Sequence, residues 1–219
     1  LEREKNETIE KLKKEGIFNN NKNLQFPLLP KRIAVISAET SNGFMDFKKV
    51  LDENQYGYKF LYYLFPAVLQ GDDAIRTISY QLEMIKLYKK YFDVVVIVRG
   101  GGGHISLSCY NNYQLVKAIV DFPLPILTGI GHSTNETVVE MVANKNAITP
   151  TKLGEILVDS FYKFHQSVLS IEGEIIDFAQ EKIDEAKSDV KRIMESFRMI
   201  SANIILEERG KMILFKDKL

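Results

Sequence analysis

The sequence predicts an α/β protein, a doubly wound parallel sheet of about four strands followed by a long coiled-coil-like helix. Three observations carry this expectation. Val94–Val98 is an unbroken apolar run, the mark of a strand buried on both faces of a parallel sheet. Between residues 32 and 128, short apolar runs alternate with amphipathic helical patterns, the order of βαβ units with right-handed crossovers. From Leu157 onward, apolar residues step by four and three, which is a heptad seam.

Taken in order, residues 1–16 are highly charged, with Ile9 and Leu12 on one face and Gly16 as a stop, and read as a short connector helix. Asn19–Asn23 is a polar loop that Pro27 and Pro30 continue. Arg32–Ser37 reads as the first strand. Thr40, Ser41 and Asn42 then start a helix with Phe44, Phe47, Val50 and Leu51 on its apolar face. Tyr58–Phe65 reads as the second strand, and Gly71-Asp72-Asp73 opens a helix carrying Ile75, Ile78, Leu82 and Ile85. Val94–Val98 is the third strand, a helix follows from about Cys109 to Val120, and Pro125–Thr128 is the fourth strand. Ser133 with Glu136 three residues on suggests a capping box and a helix start there. Thr149-Pro150 is a helix-start pair.

The final seam runs through Leu157, Phe161, Phe164, Val168, Ile171 and Ile175. After a stutter near Ala179 it resumes at Ile183, Ala186, Val190, Ile193, Phe197, Ile200 and Ile204. Until Gly210 nothing breaks it except Gly173, so a helix of about 55 residues, roughly 80 Å long, is expected. No single domain of this size buries such a stripe. A second copy of the chain or another helix should cover it. The expected organisation is a connector helix and loop over 1–27, an α/β domain over 28–152 and a helical arm over 153–219.

The chain has 219 residues, enough for one packed domain plus an extension. Its 29 Lys+Arg balance 29 Asp+Glu, which counts against a strongly basic nucleic-acid binder while leaving room for local patches. Cys109 is the only cysteine, which excludes an internal disulfide and points to a reducing cytoplasm. No signal peptide and no membrane-spanning apolar run are present. A start at Leu1 and an end inside a helical pattern suggest a piece of a longer protein.

Chemistry is expected where the third strand ends. Arg99 is followed by Gly100, Gly101, Gly102 and Gly103, whose backbone N–H groups can form an anion nest, while arginine adds a planar fork of donors. In a doubly wound sheet the loops after strands one, three and four meet at the carboxyl edge. They carry Asp46, Arg99, and His132 with Asn135. A carboxylate to position water or a metal ion, an arginine to stabilise phosphoryl charge and a histidine to move a proton suit phosphodiester chemistry. Taken singly, each has a plainer reading as an exposed helix or turn residue. His104 is a weaker candidate beside the nest, His165 a surface residue and Cys109 a packing residue. No Walker sequence is present, and Gly129-x-Gly131 lacks the third glycine of a dinucleotide fingerprint. Both absences count against a nucleotide-binding flavodoxin-like domain.

KRIAVIS with Asp46 downstream, Gln70-Gly71, VIVRGGG, PLPILTGIGH and the ITPT of Ile148–Thr151 together resemble the large subunit of exodeoxyribonuclease VII, over about residues 28–160. The resemblance implies a nuclease that degrades single-stranded DNA to short oligonucleotides. It implies a coiled-coil arm that recruits several small helical subunits, with a homodimer through the long helix as a further expectation. The family's catalytic positions fall on Asp46, Arg99, His132 and Asn135, and its phosphate contacts on Gly100–Gly103 and the ITPT threonines, Thr149 and Thr151. No cofactor is required by the resemblance, and a divalent ion such as magnesium is compatible with it. Four positions that are usually acidic are neutral here. Ile105 and Ser106 stand in place of Glu-Asp, and Ser133 in place of Glu. Asn135 also replaces the usual Asp, and an amide cannot accept a proton. A catalytically weakened subunit that binds single strands and acts as a scaffold is therefore the alternative reading.

Overall fold

The computed structural model describes residues 2–100, 107–130 and 136–216, with side chains to 213. The order of elements is α1 (Glu2–Lys14), β1 (Arg32–Ser37), α2 (Asn42–Asp52), β2 (Leu61–Pro66), α3 (Asp72–Leu87), β3 (Val94–Val98), α4 (Tyr113–Val120), β4 (Ile126–Gly129), α5 (Val138–Val142), β5 (Lys145–Asn146) and α6 (Pro150–Lys216). The sheet is wholly parallel, in the order β2-β1-β3-β4-β5. The α/β class and the parallel sheet stand as expected, with five strands rather than four. The additional strand, β5, is two polar residues held by pairing to Leu127 and Thr128.

Two apolar layers enclose the sheet because alternate strand residues point to opposite faces. Ala34, Ile36, Val95 and Ile97 meet α1, α3, α4 and α5 on one face. On the other, Ile33, Val35, Val94 and Val96 meet α2 and the first turns of α6 through Phe47, Leu51, Leu153 and Leu157. Full burial of β3 on both faces accounts for its unbroken valine-isoleucine run. At the sheet edge, β2 instead alternates between exposed and half-buried residues.

Several element boundaries differ from expectation. The second strand is Leu61–Pro66 rather than Tyr58–Phe65, because the first ladder bond is Leu61 N–H to Lys31 O. The Asn54 side chain already holds the N–H and C=O of Tyr58. The expected Cys109–Val120 helix is a 3-10 turn, Ser108–Asn111, followed by α4, whose N-cap is Asn112. The last helix continues past Gly210 to Lys216. The helix expected at Ser133 starts at Val138, and its capping box is Thr137 with Glu140. There Glu140 Oε2 accepts from Thr137 N and Oγ1 at 2.7 and 2.8 Å. Burial holds that carboxyl above the usual carboxylate range.

The N-terminal segment is packed onto this frame. Leu12 is fully buried, and Thr8 Oγ1 donates to Asn111 O at 2.9 Å. Asn21 is also fully buried: its amide donates to the carbonyls of Phe122 and Leu124, and its Oδ1 accepts from Ile126 N.

Residues 1–165 form one compact unit and residues 166–219 a second. The second unit is helical to Lys216 and exposes Ile171, Ile175, Val190, Ile193, Phe197 and Ile204. Among the described residues, no helix is long and apolar enough to cross a membrane.

Replacing Thr137 with Ala removes the α5 cap and takes from the buried Glu140 one of its two donors, the Thr137 hydroxyl. A loss of about 1–2 kcal/mol is expected in urea unfolding, and an unchanged midpoint would show that the capping box contributes nothing.

Candidate active site

Because β1 to β4 are parallel, their carboxyl ends share one edge. A cleft of about 490 Å³ opens there, lined by Thr40, Ser41, Asn42, Gln70, Arg99 and Gly100. Arg99 continues the ladder beyond β3, its N–H donating to Gly129 O at 3.2 Å. It is only 4% exposed, yet it lines the cleft. The strand that carries it is anchored from β1, where Ser37 Oγ donates to Val98 O at 2.8 Å.

The wall opposite the strand end is built by unusually close backbone packing. Ser41 is the N-cap of α2, and its hydroxyl oxygen accepts from both Phe44 N and Gly100 N, at 3.4 and 3.0 Å. Gly43 lies so close to the Arg99–Gly100 peptide that a Cβ there would stand 2.6 Å from Arg99 C, Arg99 O and Gly100 N. The reverse also holds, since a Cβ on Gly100 would stand 2.8 Å from Gly43 N. Only glycine on each side permits this contact.

The loop after β2 closes the other side. It is held by Ala67 N–H to Ser37 O, by Thr77 Oγ1 to Val68 O and by the Tyr110 hydroxyl to Leu69 O. Tyr110 is fully buried and Cys109 nearly so. Burial pushes the Cys109 thiol up, and the positive charge of Arg99 pulls against that shift. Burial likewise raises the Tyr110 phenol, again against Arg99. The guanidinium is thus within electrostatic reach of both groups. Cys109 remains a thiol at neutral pH, in keeping with a packing role.

The predicted residues are distributed over two cavities. Arg99 and Gly100 belong to the cleft. Asp46 is exposed one helical turn beyond Gly43, in a groove of about 500 Å³ between α2 and the start of α6 that also contains Lys49, Thr151, Glu155 and Asp159. Thr149 caps α6, its Oγ1 accepting from Lys152 N at 3.1 Å. The start of α6 lies against the end of β4: a Cβ on Gly129 would stand 3.2 Å from Pro150 Cα. Gly101, Gly102, Gly103, His104, Ile105, Ser106, His132, Ser133 and Asn135 lie outside the described residues. The described residues before them, Gly100 and Ile130, follow the paired strands β3 and β4. Glu136 is exposed and is not the capping carboxylate, since Glu140 fills that role. His165 is an exposed residue whose Nδ1 lies 3.0 Å from the Tyr58 hydroxyl. Among the described residues, no three His, Cys, Asp or Glu side chains converge to hold a metal ion.

Sequence reasoning did not single out Gly43 or Tyr110. The short Ser41-Asn42-Gly43 helix start, directly after a buried strand, was the available signal for the first. Tyr110 had none, because its role depends on a contact 41 residues away in sequence.

Comparison with known proteins gives a consistent result. The family model described as exonuclease VII, large subunit, matches residues 17–218. An exodeoxyribonuclease 7 large subunit of Clostridium botulinum (strain Hall) is 34% identical over 212 residues, which is 96% of this chain and 46% of the relative. The same-named protein of Lacticaseibacillus casei is 36% identical over 148 residues, 67% of this chain and 32% of the relative. That of Alkaliphilus oremlandii is 27% identical over 188 residues, 86% of this chain and 45% of the relative. The chain therefore spans about half the length, or less, of these relatives.

The Gly43 contact can be measured through Gly43→Ala. In an ordinary helix this exchange gains up to about 1 kcal/mol. Here the new methyl meets three backbone atoms, and overpacking of this kind costs about 1–3 kcal/mol. The variant should melt at a lower temperature; a higher one would mean that α2 and the β3 end separate easily.

Proposed function

Because the chain belongs to the exonuclease VII large-subunit family, we propose that it hydrolyses phosphodiester bonds of single-stranded DNA to short oligonucleotides. The observation that carries the proposal is the buried Arg99 lining a cleft at the carboxyl edge of a parallel sheet. An arginine held in low dielectric offers a fixed positive charge to phosphate oxygens, and it costs no reorganisation as negative charge develops. Gly100, whose own N–H is taken by Ser41 Oγ, carries the chain out of the cleft, and Gly101–Gly103 are assigned to the phosphate-binding loop. His132 is assigned the proton transfer to the leaving oxygen, and Asp46, which lines the neighbouring groove rather than the Arg99 cleft, the orientation of the attacking water. Asn135 is assigned a hydrogen bond to the substrate rather than proton transfer, since its amide cannot accept a proton. Thr149 and Thr151 are assigned to DNA backbone contacts. No metal is assigned a step; a magnesium ion held by Asp46 and substrate oxygens would add charge neutralisation at the same phosphate.

The arm is assigned to assembly. Between residues 166 and 213 its large apolar side chains lie in water on the single chain, and burying each is worth about 1.5–3 kcal/mol. Small helical subunits, or a second copy of the chain, fit a heptad stripe by the same packing. The work is assigned to the cytoplasm, where single-stranded DNA is processed.

The test uses the full-length protein with its small subunits and labelled single-stranded DNA. Arg99→Ala should lower kcat by about 10²–10³, the usual loss on removing a preorganised charge-stabilising donor. It should also weaken binding most at low salt. Unchanged cleavage would remove Arg99 from the chemistry. Changing Ile193 and Phe197 together to Asp should abolish assembly in light scattering while the α/β unit keeps its melting transition. Assembly at the original mass would remove the arm from that role.

A further inference from the structure

We propose that the outer edge of β2 is a second binding surface for single-stranded DNA, separate from the carboxyl-edge cleft. Only the identity of the polymer rests on the function proposed above; the surface rests on its own geometry. Among the described residues β2 pairs with β1 alone, so one side of the strand has no sheet neighbour. A groove of about 860 Å³ lies beside it, lined by Leu61, Tyr63, Phe65, Tyr88, Tyr91 and Phe92. Tyr63 and Tyr91 are 69% and 68% exposed, an unusual concentration of rings in water for a surface that binds nothing. The rings are braced. Phe65 packs edge-on against Phe92 at 5.6 Å, and Tyr63 stands 6.0 Å from Phe65.

Charge selects the occupant. Lys86, Lys89 and Lys90 alternate with Tyr88 and Tyr91 in the segment that borders the groove, and all five are exposed. Lys89 and Lys90 make no ion pair among the described residues, and Lys86 reaches Glu83 only at 3.8 Å. The neighbouring carboxylates are engaged: Asp93 by Arg32 at 2.6 Å, and Asp52 by the Tyr62 hydroxyl at 2.9 Å. Tyr62 and Asp52, on the α2 side of the pleat, also line the groove, so its one lining carboxylate is the acceptor of the Tyr62 hydroxyl. Exposed rings that accept base faces, interleaved with lysines that follow a phosphate backbone, are the chemistry that recognises single strands without regard to sequence. A duplex hides its base faces, and a docking protein strand would face the lysines.

The surface also leads somewhere. The six residues of β2 span about 20 Å. Ala67 and Gln70, just beyond the strand, line the cleft that contains Arg99. A single strand lying along β2 is thereby delivered towards the carboxyl edge.

The experiment measures fluorescence anisotropy of the full-length protein with a labelled oligothymidylate and with an abasic oligonucleotide of the same length. Tyr63→Ala with Tyr91→Ala should weaken oligothymidylate binding about tenfold or more and leave the abasic probe nearly unchanged. Lys89→Glu with Lys90→Glu should weaken both probes, with a loss that shrinks at high salt. All four side chains are exposed, so melting curves should match the parent. Unchanged affinity in both double variants overturns the proposal. So does a change in sedimentation mass without a change in DNA affinity, which would mark the edge as an interface between copies of the chain. Arg99→Ala in the same assay keeps the two readings apart. If it weakens binding while the β2 variants do not, the β2 surface falls and the cleft stands. If the parent binds neither probe, both fall.

Discussion

The contact of Gly43 with the Arg99–Gly100 peptide fixes the geometry on which the rest of the site depends. It joins the first turn of α2 to the end of β3 with no side chain between them. One hydroxyl, that of Ser41, caps the helix and receives the N–H of Gly100. Arg99 is therefore not an arginine on a loose loop. Its backbone is held by β4 on one side and α2 on the other. The side chain is buried at the point where the strand ceases to be regular. A buried cation in a rigid frame is what electrostatic stabilisation of a phosphoryl group requires, because a donor that must first move loses much of its benefit.

The fold was legible where burial is uniform. Each of β1, β3 and β4 lies between two helical layers, and each appeared as an apolar run in the sequence. The edge strand β2 was placed three residues early because Tyr58 and Phe60 look like strand residues, although Asn54 satisfies the Tyr58 backbone locally. The strand β5 was invisible, since Lys145 and Asn146 carry no apolar pattern and exist as a strand only through pairing with β4. Ser133 and Thr137 both stand three residues before a glutamate, so two capping boxes were available in one short stretch. The helix uses the second, where Glu140 is buried beside Thr137.

Within the site, Arg99 and Gly100 were legible because a fully apolar strand ending in arginine and glycines leaves few other readings. Their partners were not, since Ser41, Gly43 and Tyr110 act across gaps in sequence that no local pattern reports. Asp46 shows the limit of reasoning from loops alone. Its helix was predicted, but which groove it faces depends on the start of α6. That position is more than one hundred residues away in the chain.

Asn21 carries a consequence for the order in which the protein is made. Its side chain is completed by Phe122, Leu124 and Ile126, and the last lies 105 residues downstream. At a synthesis rate of about 5–20 residues per second, roughly 5–20 s pass between the two ends of that hydrogen bond leaving the ribosome. During that interval the Asn21 side chain lacks the three backbone partners that complete it. The segment around Asn21 is thus completed late, only once the chain through β4 has been made.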